Sequence, residues 1–212
     1  MKNNNLPNDI PVFPLSGAIF FPRTVLPLNI FEDRYIQLVK DCVKEKKFFG
    51  MVQPKIKFSE KPEVYSVGCL GKIVTFNETN DKRFVISLLG VARFKIKEEL
   101  NTEKLYRKFN VDYSDFAEDL NFKKNETINY NKNSLLKKIN LFLKKINYEV
   151  DSTELFKLNF DQLISTICMI SPFSNVEKQK LIEEIKVENK LRVLEEIINF
   201  HLIDFQENKT IQ

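Results

Sequence analysis

The chain has 212 residues, with 33 Lys plus Arg against 29 Asp plus Glu, 43% hydrophobic residues and a net charge of +4. That length suits one large domain or two small ones, and the apolar fraction rules out disorder along the whole chain. The charge is too mild for a protein that coats nucleic acid, and no apolar run approaches the roughly 18 residues that span a bilayer.

Residues Met1 to Asn8 are polar and lack the apolar core of a secretory signal. Cys42, Cys69 and Cys168 are odd in number and far apart, which argues against a disulfide framework or a paired metal site. Free thiols without an export signal predict a cytoplasmic location. With His201 as the single histidine, no zinc site of His and Cys ligands is expected, and no cofactor either.

All five Gly lie in the first 90 residues, and seven of the eight Pro lie in the first 62. Such punctuation predicts a β-rich, turn-rich first half. Ile10 to Leu15 reads as a strand that Pro11 and Pro14 restrict to limited or edge pairing. Val25 to Ile30 is similar, interrupted by Pro27. A helix follows near 32–47, with Phe31, Tyr35, Leu38, Val39, Cys42 and Val43 on its apolar face and Asn29 with Glu32 as its cap. Phe48 to Val52 is a strand. Leu70 to Phe76 and Arg83 to Leu89 form a hairpin, and Gly90 kinks or bulges the chain before Val91 to Ile96. Tyr106 to Tyr113 is a further strand.

The second half carries the 3.6-residue period of helices. Ser134 to Tyr148 presents Leu135, Ile139, Phe142, Leu143 and Ile146 on one side. Phe160, Leu163, Ile164, Ile167 and Cys168 repeat the pattern. Ser174 and Glu177 form an S-x-x-E capping box after Pro172, opening a helix with Leu181, Ile182 and Ile185. Leu191, Leu194, Ile197, Ile198, Leu202 and Phe205 mark a last amphipathic helix. The predicted organisation is α+β: a β-rich unit over 1–120, a linker over 121–133 and a helical unit over 134–212. Charge segregates as well. Residues 122–148 hold seven Lys and one acid, and residues 149–212 hold seven Lys plus Arg and twelve acids.

No catalytic set stands out. There is no phosphate loop and no G-x-G-x-x-G, and the three cysteines have one histidine between them, on a helix face. Two surfaces remain. Lys137, Lys138, Lys144 and Lys145, with Leu141 among them, form a basic stripe opposite an apolar face. It suits phosphate or an acidic partner, or is a solvated face. Leu15, Ile19, Phe20, Phe21 and Pro22 lie around a turn flanked by Gly17. They are read as a client-facing apolar patch, the rival reading being a loop that folds back and plugs the core.

The residues also carry a resemblance. Ile10-Pro11-Val12-Phe13-Pro14-Leu15, Phe21-Pro22 and Leu26-Pro27-Leu28-Asn29-Ile30-Phe31-Glu32 with Arg34-Tyr35 resemble the opening of the Lon protease N-terminal, substrate-binding domain. Phe49-Gly50-Met51-Val52, Val67-Gly68-Cys69-Leu70-Gly71-Lys72-Ile73 and Leu89-Gly90-Val91-Ala92-Arg93-Phe94 continue it in order. The chain departs where Asp33 stands for a frequent Pro and Arg23 for a frequent Gly. The family's ATPase phosphate loop and peptidase Ser–Lys motif are missing from these 212 residues.

The resemblance therefore implies a stand-alone, non-enzymatic module with a PUA-like twisted antiparallel β pseudo-barrel followed by a helical bundle. Its implied partners are unfolded or degron-bearing client polypeptides, or a protease or chaperone, with no membrane. RNA is the alternative partner, because related barrels bind it, and the basic stripe is where it would dock.

Overall fold

A computed structural model describes residues 6–45, 47–55, 62–120, 130–147 and 157–207, with side chains to residue 203. The predicted linker lies mostly outside the described residues, as do 148–156. Six strands form one sheet: β1 (Asp9–Pro14), β2 (Val25–Ile30), β3 (Phe48–Val52), β4 (Val67–Glu78), β5 (Phe84–Leu100) and β6 (Arg107–Asp112). Helix α1 (Asp33–Lys44) lies between β2 and β3. A 3-10 segment (Ser114–Leu120) leads to α2 (Lys132–Lys145), α3 (Phe160–Ile170), α4 (Asn175–Glu183) and α5 (Val187–Glu207). Among the described residues of 134–205 there is no strand.

The strand order is β2-β5-β4-β3-β1-β6, and β6 pairs back onto β5. Five strands thus close a barrel, and β2 stays outside the closure. All pairings are antiparallel except β1 with β3. Strand β1 is not an edge; of the two expectations for its prolines, limited pairing is the one that holds. Its register explains this: Pro11 pairs only with β6 and Pro14 only with β3, so neither proline sits where both sides need an N–H. Strand β5 runs unbroken past Gly90, with Val91 as the extra residue of a bulge opposite β4.

Helix α1 buries Tyr35, Leu38, Val39 and Cys42. Its N-cap is Glu32 without a side-chain cap, because that carboxylate pairs with Arg34, while Asn29 stays inside β2. Phe31 precedes the helix and is 63% exposed rather than on the apolar face. Later helices start where the sequence supplies caps. Asn131 and Asn159 accept from the third residue on, and Ser174 with Glu177 forms the full capping box.

Two apolar clusters result. One fills the barrel with Ile10, Val12, Leu70, Ala92, Phe94, Phe109 and Val111. The larger is shared by the sheet's other face, α1 and all the later helices, and it includes Phe13, Phe49, Ile86, Leu88, Phe142, Ile167 and Leu194. The β-rich and helical parts therefore share one core.

A polar joint locks them together. Arg93 of β5 is 4% exposed and grips both oxygens of Asp119, at 2.8 and 2.9 Å. The same guanidinium donates to the carbonyls of Ile182 and Glu184 at the end of α4. Burial pushes the Asp119 carboxyl up, but the Arg93 hydrogen bonds and charge outweigh it and hold its pKa below the usual range.

Candidate polypeptide-binding surface

The loop between β1 and β2 corrects the patch reading. Ile19, Phe20 and Phe21 are 4%, 2% and 0% exposed, Pro22 is buried, and Leu15 is half-buried against the core. The loop lies between the sheet and the helices. The N–H of Arg23 donates to the Gly90 carbonyl and the N–H of Gly90 to the Thr24 carbonyl, both at 2.9 Å. A Cβ on Gly90 would stand 2.0 Å from the Phe21 carbonyl oxygen, so a residue without a side chain is what admits the loop. Helices clamp it from the other side. Lys178 donates to the Gly17 carbonyl, Arg23 faces Asp161 at 3.7 Å, and the Lys190 ammonium lies 5.2 Å from the Phe21 ring centre. The loop is a plug. Arg23 holds a left-handed φ of 65°, which accounts for the frequent Gly there in the resembling family.

The basic stripe is divided. Lys138 pairs with Glu195 of α5 at 2.6 Å, and Lys145 donates to the Leu202 carbonyl at 2.6 Å. The segregated charges of the two segments thus meet inside the chain. Lys137, Leu141 and Lys144 remain exposed.

The cysteines are buried. Desolvation pushes the Cys42 and Cys168 thiols up to about 12 and the Cys69 thiol well above its ordinary value, the opposite of what a nucleophile needs. His201 packs against Phe142, Phe173 and Phe200 and meets Glu177 at 3.1 Å. Among the described residues, no helix is long and apolar enough to cross a membrane.

What the sequence reading missed is the three-stranded wing beyond the barrel closure. The register aligns Asn29, Val85 and Asn77 in one row, and Pro27, Ser87 and Thr75 in the next. Val25 stands beside Leu89. These eight residues alternate with Phe84, Ile86 and Leu88, which are at most 1% exposed, so they share the opposite, solvent-facing side. None of the eight carries a charge, in a chain with 29% charged residues, and the one charged side chain in their rows is Lys72, beside Leu89. Val25 and Val85 are 53% and 42% exposed, and Val74, the extra residue of a bulge in β4, is 50% exposed.

The wing is stiffened at its tip. Phe76 packs on Phe84 with ring centres 4.9 Å apart, and Lys40 of α1 reaches over the Phe84 ring. The turn is tied by Thr79 and Arg83, with Arg83 also paired to Asp81. Strand β2 is the outer strand of the wing. Pro27 at its middle removes a backbone donor, which blunts that edge against strand addition. The alternation of Val with Asn, Ser and Thr was legible as strand, but which face is solvent depends on where α1 and the later helices pack.

Comparisons place the chain. A Lon protease of Anaeromyxobacter dehalogenans is 24% identical over 94% of this chain, which spans 24% of that protein. Lon protease 2 of Myxococcus xanthus is 30% identical over 53% of the chain and 14% of its own length. The chain thus spans about a quarter or less of these relatives. A Lon N-terminal domain protein from Xanthomonas campestris superposes with a TM-score of 0.61 at 20% identity, covering 88% of this chain and 96% of that one. The sequence matches the family described as the ATP-dependent protease La (LON) substrate-binding domain over residues 9–199, and the chain belongs to that family.

Proposed function

We propose that this chain is a non-catalytic polypeptide-binding module that holds extended, unfolded or degron-bearing segments across the outer face of the β2-β5-β4 wing. The observation that carries the reading is the composition of this face: four apolar side chains interleaved with Asn, Ser and Thr, with Lys72 at the end of the Val25–Leu89 row. Apolar groups in contact with a client gain from leaving water, while neutral polar neighbours bond to peptide groups without favouring one sequence. Membership of a substrate-binding family supports the role. The blunted β2 edge favours docking on the face over addition of a strand.

The test is a double substitution, Val25→Glu with Val85→Glu, measured by fluorescence anisotropy with a labelled, uncharged peptide of alternating valine and threonine. Binding is expected to weaken at least tenfold. Both sites are exposed, so the melting temperature should fall by less than about 5 °C. Unchanged affinity would reject the wing as the client surface.

A further inference from the structure

The one charge on the wing face stands where the wing runs into the barrel. Lys72 of β4 pairs with Leu89 on one side and with Phe48 on the other. It lies on the same side of its strand as Leu70, two residues back, which faces the barrel interior. Ile73 and Leu88 point the other way, into the larger core. The solvent side of the wing and the inside of the barrel are thus one continuous side of the sheet, and Lys72 marks the boundary.

The surroundings of this lysine are uncharged. Its neighbours on that face are Leu89, Phe48, Leu70 and Val74, with Ser87 and Val91 on either side of Leu89. Phe48 and Val91 pack partly against the barrel core, so the floor around Lys72 is apolar. The ammonium is 5.8 Å from the Phe48 ring centre, and among the described residues no carboxylate pairs with it. A half-buried cation with no counter-ion in such a setting complements an anionic group on a client.

The geometry also selects the anionic group. Beyond Lys72 the same side of the sheet is filled by Leu70, Ala92 and Phe94. A client lying along β5 from Val85 to Leu89 runs roughly 13 Å and then meets the barrel. A chain end fits there, whereas an internal segment must turn away.

Resting on the wing reading, we propose that Lys72 is the specificity-determining residue of that surface and takes the C-terminal carboxylate of a client whose last few residues lie along the wing. The test uses three N-terminally labelled valine–threonine peptides, ending in a free carboxylate, in an amide, or in Asp followed by an amide, with fluorescence anisotropy as the readout. The free acid is expected to bind about three- to tenfold more tightly than the amide, and the Asp peptide to gain less than the free acid. Lys72→Gln is expected to erase the preference for the acid, and Lys72→Arg to retain it. The preference is a ratio within one protein, so a change in the variant's stability does not imitate it. Equal affinity for acid and amide, or a preference that survives Lys72→Gln, would overturn the proposal. An Asp peptide that gains as much as the free acid would overturn the assignment to a chain end. If acid and amide bind equally and Val25→Glu with Val85→Glu weakens both, the wing stands and only the role of Lys72 falls. If none of the three peptides binds, both readings fall.

Discussion

Phe21→Ala tests the plug directly. Phe21 is fully buried, its backbone is bonded to β5 through Arg23, Thr24 and Gly90, and its ring lies under Lys190. Deleting a buried Phe ring costs about 3–5 kcal/mol through lost transfer energy and the cavity left behind. For a domain of this size about 1 kcal/mol moves the midpoint by about 2–4 °C, so the melting temperature should fall by roughly 6–20 °C. The loss should sit toward the lower half of that range, because water entering the cavity rehydrates the buried Lys190 amine. Differential scanning calorimetry reads the shift, and far-UV circular dichroism confirms that the variant is folded before heating. A fall of under about 2 °C would mean that the loop is a surface element and not a plug.

Gly90→Ala should destabilise by about 2–4 kcal/mol in urea titration, since the new Cβ collides with the Phe21 carbonyl and strains two backbone hydrogen bonds. Asp119→Asn should cost about 3–5 kcal/mol by leaving the buried Arg93 charge uncompensated. The Asp119 pKa is lowered on folding. Its contribution is therefore complete above the ordinary Asp range and lost as the pH falls through the lower folded value, so wild type and Asp119→Asn should converge in acid. Lys190 has the opposite sign. Desolvation first, then the Arg93 charge, bring its pKa down to about 8, so the buried ammonium is a full burden below pH 8 that lifts as the pH rises towards the ordinary Lys value. Lys190→Met should exceed wild type in stability at pH 7, with the gap closing between pH 8 and 10. The difference between the two proteins cancels the opposing Cys and Tyr titrations.

Much of the architecture was legible because it rests on local chemistry. Gly and Pro punctuation marked the β-rich half. The capping box at Ser174 and Glu177 opened a helix where expected, and the four later apolar stripes gave α2 to α5. What failed depended on partners distant in sequence. Phe20 and Phe21 looked stranded in a turn because the surface that covers them comes from Gly90, Asp161, Lys178 and Lys190. The basic stripe looked uniform because Glu195 and the Leu202 carbonyl, which engage two of its lysines, lie 57 residues on. Pro11 and Pro14 left limited and edge pairing both open, because pairing offset on the two sides of a strand cannot be read from one strand. The wing face was hidden for the same reason: valines alternating with Asn, Ser and Thr say strand, and only the position of the helices says which side stays wet.

Where clients dock can be read by backbone amide shift mapping in NMR with the uncharged valine–threonine peptide. If they dock on the wing as proposed, saturable shifts concentrate in Val25–Ile30, Val74–Asn77 and Val85–Leu89, with the exposed face of α2 around Lys137, Leu141 and Lys144 unmoved. Shifts confined to α2, or an absence of saturable shifts in all three wing strands, would contradict it.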